Sequence, residues 1–326
     1  MEGLDMSIQL RETERVEILT LVDNTVDLLL ENSEHVVRAP RIRNGVLAPP
    51  LLAEHGFSAL IRVTDAGETH AILLDAGLTE ETLLINADRL GIDFGEVEAI
   101  VISHGHIDHI RALIPALERL RPGIPIVIHP HAFAPRVIKI PDGTEFRMPP
   151  LDPDALERAG ARIVRRKEPS LLAGDRVLVT GEIPRVTEFE FGFPVQYAII
   201  DGEEQPDPLT PDDQAIAVLV KGKGLVVISG CAHAGIINTV KYARQLTGSA
   251  KLHAIIGGFH LAGPLYESVI EPTVAALRES NPDFVIPTHC TGWKAIHEFA
   301  RSMPDAFIQN SVGTRVMFGS QRTQAG

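Results

Sequence analysis

The sequence predicts an α/β protein, a four-layer αββα sandwich with its functional site at one edge. Three observations carry this reading. Strand-like apolar runs alternate with amphipathic helical stretches in two similar halves. In both halves, histidines follow directly on the ends of apolar runs, at His104, His233 and His289. Hydrophobic residues make up 44% of the 326 residues, enough to bury a sizeable core. A chain of this length could hold two average domains, but one layered unit over 1–326 is the simpler expectation.

Taken in order, Val16 to Val22 reads as a first strand ending at Asp23-Asn24, where Asn24 either contacts substrate or caps a turn. Residues 27 to 53 suit a long loop or flap. Arg38, Arg41 and Arg43 cluster in it, to recognise an anion or to line a solvated face. Phe57 to Val63 and His70 to Leu74 form a hairpin, followed at once by Asp75. Glu80 to Leu90 is an amphipathic helix closed by Gly91. A strand through Ala99 to Ile102 leads into a histidine-rich loop, and His109 opens a helical stretch through Leu120. Ile124 to His129 is another strand, with His129 and His131 read as structural. Residues 132 to 213 are punctuated by Pro and Gly around short strands and read as a specificity insertion over the site. Gln214 to Val220 and Gly224 to Ile228 form a second hairpin, then Ala234 to Leu246 a helix and Lys251 to Ile256 a strand. Leu265 to Ser280 is a further helix and Phe284 to Ile286 the next strand.

Composition excludes some functions. A formal net charge of -13 disfavours a nucleic-acid partner, which needs clustered Lys and Arg, but allows a small anionic substrate in a local basic pocket. The two cysteines, Cys231 and Cys290, make no disulfide framework and suit a reducing cytoplasm. Met1 to Arg15 has no apolar core of a secretory signal, and no run of eighteen apolar residues suggests a membrane span. A homo-oligomer is left open.

The chemistry concentrates in Ser103-His104-Gly105-His106-Ile107-Asp108-His109, where four metal-capable side chains fall within six residues at a strand exit. Imidazoles and a carboxylate are donors that Zn²⁺ prefers, and Gly105 removes a Cβ where the loop must turn two histidines onto one centre. Asp108 and His109, one step on, can face a second centre. The competing reading is a chance surface cluster.

This spacing resembles the signature of the metallo-β-lactamase superfamily. Further pieces resemble its dihydropterin-synthase-like branch of metal-dependent hydrolases: Leu21 to Thr25, Glu54 to Ser58, Leu74 to Gly77, Asp212 to Ala215, Gly230 to Gly235, Gly257 to Leu261 and Pro287 to Gly292. The resemblance implies a metallo-β-lactamase fold with two Zn²⁺ ions, with Mn²⁺ or Fe²⁺ as alternatives. It implies His104, His106 and His233 for the first ion, Asp108, His109 and His289 for the second, and Asp75 as a support behind them. Where many members carry a bridging Asp, this chain has Cys231. The bridge then falls to Cys231, Asp212, Asp213 or solvent.

Asp108 is the expected group to orient or deprotonate an attacking water, and His260 a substrate contact or proton donor, with a buried structural histidine as its alternative. Asn24 and Asp213 are the candidate substrate contacts. The implied activity is hydrolysis or transfer on a small phosphorylated or ester metabolite. In the branch's version, an aminobenzene ribosyl phosphate attacks a pterin methyl diphosphate. Lactonase or phosphodiesterase activity is the alternative among enzymes, and a metal-binding sensor without turnover is the alternative outside them.

Overall fold

The computed structural model describes residues 8–320. Met1 to Ser7, part of the stretch read as carrying no secretory signal, lie outside the described residues. Two sheets face each other. The first has eight strands in the order Ala161–Arg165, Ile124–Ile128, Val97–Val101, Glu68–Leu74, Ser58–Asp65, Arg15–Val22, Arg315–Gly319 and Val36–Val37. The second runs Ser170–Leu172, Val177–Val179, Ala215–Val220, Gly224–Ser229, Leu252–Gly258 and Phe284–Thr288, with Glu12–Thr13 pairing parallel to Ala215–Val220.

The period-two alternation of side chains builds the layers. In Arg15–Val22, Val16 and Ile18 point into the core between the sheets, beside Val218, Val226 and Ile286 of the opposite sheet. Leu19 and Leu21 point outward, onto the layer of Leu83, Ala87, Leu113 and Leu117 from the helices Thr82–Leu90 and Leu113–Leu117. The other outer layer packs the helices Ile236–Thr247, Glu267–Ser280 and Trp293–Ser302 on the second sheet through Val240, Leu246, Leu277 and Phe299. This is the expected αββα sandwich. Each fully buried Val, Ile or Leu contributes about 1.5–3 kcal/mol.

Differences from the sequence reading have local causes. The helical stretch from His109 to Leu120 is a 3₁₀ turn at Ile107–His109 and one short helix at Leu113–Leu117. Pro115 lacks an N–H and crowds the turn before it, which limits propagation. Trp293–Ser302 and Arg315–Gly319 were not read from the sequence; the first buries only Ala295 and Phe299, too sparse a stripe to announce a helix. Residues 132–213 divide. Ala161–Arg165 extends the first sheet, and Ser170–Leu172 and Val177–Val179 extend the second. Arg136–Lys139, Glu145–Met148, Gln196–Ile200 and Glu203–Pro206 form a separate four-stranded cap sheet. Arg38, one of the loop arginines, fastens its own loop to the Gln309 carbonyl and the Thr314 hydroxyl, which fits the structural reading better than anion recognition. No helix among the described residues is long and apolar enough to cross a membrane.

Candidate metal centre

The strand Val97–Val101 delivers its loop under tight backbone control. The Ser103 amide donates to Asp75 Oδ1 and its hydroxyl to Asp75 Oδ2, both at 2.7 Å. At Gly105 the amide donates to Asp212 Oδ2 at 2.8 Å, and a Cβ there would lie 2.2 Å from the Ala132 carbonyl oxygen, so only glycine fits. The 3₁₀ turn that follows is pinned from outside, because the Ala76 amide donates to the His109 carbonyl at 2.7 Å and the Phe57 amide to that of Asp108 at 3.1 Å. The remaining ligands come from the exits of Gly224–Ser229 and Phe284–Thr288.

These exits converge. His104, His106 and His233 form one group, and Asp108, His109, Cys231 and His289 a second, with donor atoms inside each group within 4.8 Å of one another. Cys231 also falls in a third group with His233 and His260. The donor set fits cations. His104 gives Nδ1 to the Ser103 hydroxyl at 2.9 Å, so its Nε2 is an unprotonated acceptor, 3.2 Å from His233 Nε2. If His233 carries its proton on Nε2, its buried Nδ1 is left without a partner; if on Nδ1, two lone pairs abut. His289 Nε2 is likewise buried and unpartnered, 3.3 Å from Asp108 Oδ2. Leaving such groups unpaired costs about 1–3 kcal/mol each, which a divalent ion at their focus removes.

Four of the five imidazoles, all but His233, are aimed by a partner on the other nitrogen, His104 by the Ser103 hydroxyl. His109 Nδ1 is 2.7 Å from Asp75 Oδ2, leaving Nε2 facing Cys231 Sγ at 3.2 Å. His289 Nδ1 is held by Asn24 Oδ1 at 3.1 Å. His106 Nε2 meets Gln196 Oε1 at 2.5 Å. Gln196 is itself oriented, since its amide nitrogen donates to the Asp207 carbonyl and carboxylate at 3.0 Å and to the Thr210 hydroxyl at 3.1 Å. The Gln196 oxygen therefore faces His106, and the imidazole presents Nδ1 to the centre.

Backbone strain gathers here too. Asp75, Ala232, His260 and His289 have φ of +58°, +56°, +44° and +48°, a region that costs a non-glycine residue about 1–3 kcal/mol. Burial, reinforced by neighbouring imidazoles, holds His104 and His233 far below the ordinary imidazole range, and burial with Arg136 brings His106 down to about 4. These side chains are neutral donors at pH 7. Burial alone would raise Asp108, but His109 and His289 outweigh it and keep the carboxylate ionised. Burial raises the Cys231 thiol.

All six ligands expected from sequence are brought together. The two proposed substrate contacts both bond to the protein itself. Asn24 spends its carboxamide on His289, accepting from the ring and donating to the carbonyl at 3.2 Å. Asp213 is buried and accepts from the Ala234 amide at 2.8 Å, so it shapes the turn carrying His233. Burial pushes its carboxyl up to about 7. Asp212 is not placed to bridge either, because it is committed to the Gly105 amide and a buried pair with Arg136. Among the protein groups named as bridging candidates, Cys231 is the one whose donor atom joins the second group and also lies near His233, and solvent stays an alternative bridge. His260 sits against His233, ring centroids 4.0 Å apart, and beside Phe193 and Tyr266. Sequence reasoning missed Gln196, Asp207 and Arg136, which carry no motif; a lone Gln inside a strand gave no signal.

The family model described as the metallo-beta-lactamase superfamily matches residues 53–246. The chain is 30% identical over 277 residues to a 7,8-dihydropterin-6-methyl-4-(beta-D-ribofuranosyl)-aminobenzene-5'-phosphate synthase of Methanocaldococcus jannaschii, covering 82% of this chain and 92% of that protein. An uncharacterised protein of the same organism is 31% identical over 270 residues, covering 80% of this chain and 92% of the relative. A crystal structure described as a metal-dependent hydrolase of the beta-lactamase superfamily superposes with a TM-score of 0.72 at 24% identity, over 94% of this chain and all of that one.

Proposed function

The chain belongs to the metallo-beta-lactamase superfamily, and from that premise we propose a two-metal hydrolase or transferase acting on a small phosphorylated or ester metabolite, pterin-related in its most specific form. The superfamily and the similarity to a named synthase support a metal-dependent enzyme. The observation that supports a two-metal reading is the pair of adjoining donor groups with four of the five imidazoles aimed from behind.

When bound, divalent ions there would polarise a phosphoryl or carbonyl oxygen and lower the pKa of a water. The chain's own residues do the rest. In this reading Asp108, held as a carboxylate with its side chain 16% exposed, accepts a proton from an attacking water or amine. His260, its ring 4.0 Å from that of His233, contacts the leaving group. Nitrogen-rich donors with one sulfur favour zinc, with manganese or iron as alternatives. The reduced Cys231 and Cys290 suit a cytoplasmic setting.

The test is metal content of protein purified without chelator, with a phosphomonoester, phosphodiester and lactone panel run on the same sample and on His106→Ala. About two equivalents of metal and turnover lost in the variant are expected. Protein that binds no metal sinks the reading, and metal without turnover on any substrate, pterin conjugates included, moves it to a sensor.

A further inference from the structure

The helix Trp293–Ser302 begins four residues after His289 and buries Ala295 and Phe299 against the second sheet. One turn apart on the same helix, Trp293 and His297 lie with ring centroids 3.7 Å apart at 40°, so the imidazole braces the indole. Trp293 is nevertheless 73% exposed, and it is the single tryptophan of the chain. A lone exposed apolar residue needs no explanation. This one borders a cavity of about 480 Å³ that reaches His289 and Asn24.

The cavity has two unlike walls. Trp293 and Ile296 offer a flat apolar face, while the exposed Gln309 offers a carboxamide donor and acceptor. The volume lies in the range of small-molecule sites, roughly 300–1,000 Å³. Of the candidate ligands, His289 alone lines the cavity, on the side of the ring that Asn24 holds; beyond that ring the Asp108 side chain is 16% exposed, and His55, with its ring 5.0 Å from that of His289, is 63% exposed.

We propose that this cavity seats a flat heteroaromatic ring of the substrate, its face on the Trp293 indole and its donor–acceptor edge toward Gln309. The proposal rests on the reading that His289 marks the reacting centre, and it says where the ring part of a pterin-like substrate would lie. A ring edge with an amino group beside a carbonyl matches the donor and acceptor of a carboxamide, which an acyl chain cannot engage.

The sole tryptophan makes the test direct. The metal-loaded full chain is titrated with pterin while tryptophan emission is followed, with free N-acetyltryptophanamide correcting for absorption, and the affinity is checked by equilibrium dialysis. A saturable emission change is expected, with binding about tenfold weaker in Trp293→Leu, as loss of one base-like stack implies, and recovered in part by Trp293→Phe. Ribose 5-phosphate should leave the emission unchanged. Both variants should fold, since the side chain is largely in solvent. Quenching that never saturates, or dialysis affinity unchanged in Trp293→Leu, overturns the proposal. The proposed function fails separately: a saturable pterin response in protein without turnover upholds the ring site, and turnover without any pterin response removes the ring site alone.

Discussion

Replacing Gln196 by Leu isolates the part that one hydrogen bond plays in holding metal. Gln196 is fully buried, and the substitution keeps its approximate volume while removing the oxygen that meets His106 Nε2 at 2.5 Å. His106 can then carry its proton on either nitrogen and turn about its χ2. Loss of such a partner behind a metal-bound imidazole costs about 10–100-fold in affinity. The Asp207 carbonyl and the Thr210 hydroxyl also lose the amide donor at 3.0–3.1 Å, while the Asp207 carboxylate keeps His131, adding about 1–3 kcal/mol of destabilisation per unpaired buried group. The assay is competition with a chromophoric chelator, run beside melting curves of chelator-stripped protein to separate fold from metal. The expected result is one metal equivalent held at least tenfold more weakly, the other unchanged, and a lower melting temperature in both states. Affinity for both equivalents within about twofold of the parent would refute the argument, since the predicted range begins at tenfold.

Two further substitutions probe the loop and the sulfur. Gly105→Ala places a methyl 2.2 Å from the Ala132 carbonyl, and neither backbone can yield without moving His104 or His106; we expect largely insoluble protein or loss of bound metal, read by metal analysis of whatever fraction folds. Cys231→Ser keeps shape and removes thiolate character, so cobalt-loaded parent protein should show a sulfur-to-metal charge-transfer absorption that the variant lacks; identical spectra would exclude Cys231 as a ligand.

The candidate ligands were legible because all six sit in short motifs at strand exits, and the sandwich was legible because its strands alternate cleanly. Asp75 stood out through the family resemblance, where a turn-forming Asp would have looked the same, and its bonds to Ser103 and His109 fit the supporting role. What stayed hidden is held by contacts across long stretches of chain: Gln196 lies 90 residues from His106, and Asn24 lies 265 from His289. Local pattern cannot report such pairings. It could flag Asn24 and Asp213 as polar groups near the site, but not the hydrogen bonds, seen only in three dimensions, by which they brace His289 and the turn carrying His233. Pro115 shows the opposite case, a local signal present in the sequence and outweighed in the reading by the periodicity of Leu113, Leu117 and Leu120.

The small sheet that overhangs the centre supplies Gln196, while the segment joining that sheet to the second hairpin supplies Asp207, Thr210 and Asp212. A cap of this kind is where a lineage would change to acquire a new substrate. Here such change is constrained, because every exchange of the cap also exchanges the group that sets which nitrogen of His106 is offered. Grafting the cap of one relative onto the sandwich of another would therefore transplant metal retention together with selectivity, and a chimera that swapped only the outer strands Glu145–Met148 and Glu203–Pro206 would be the one to separate them.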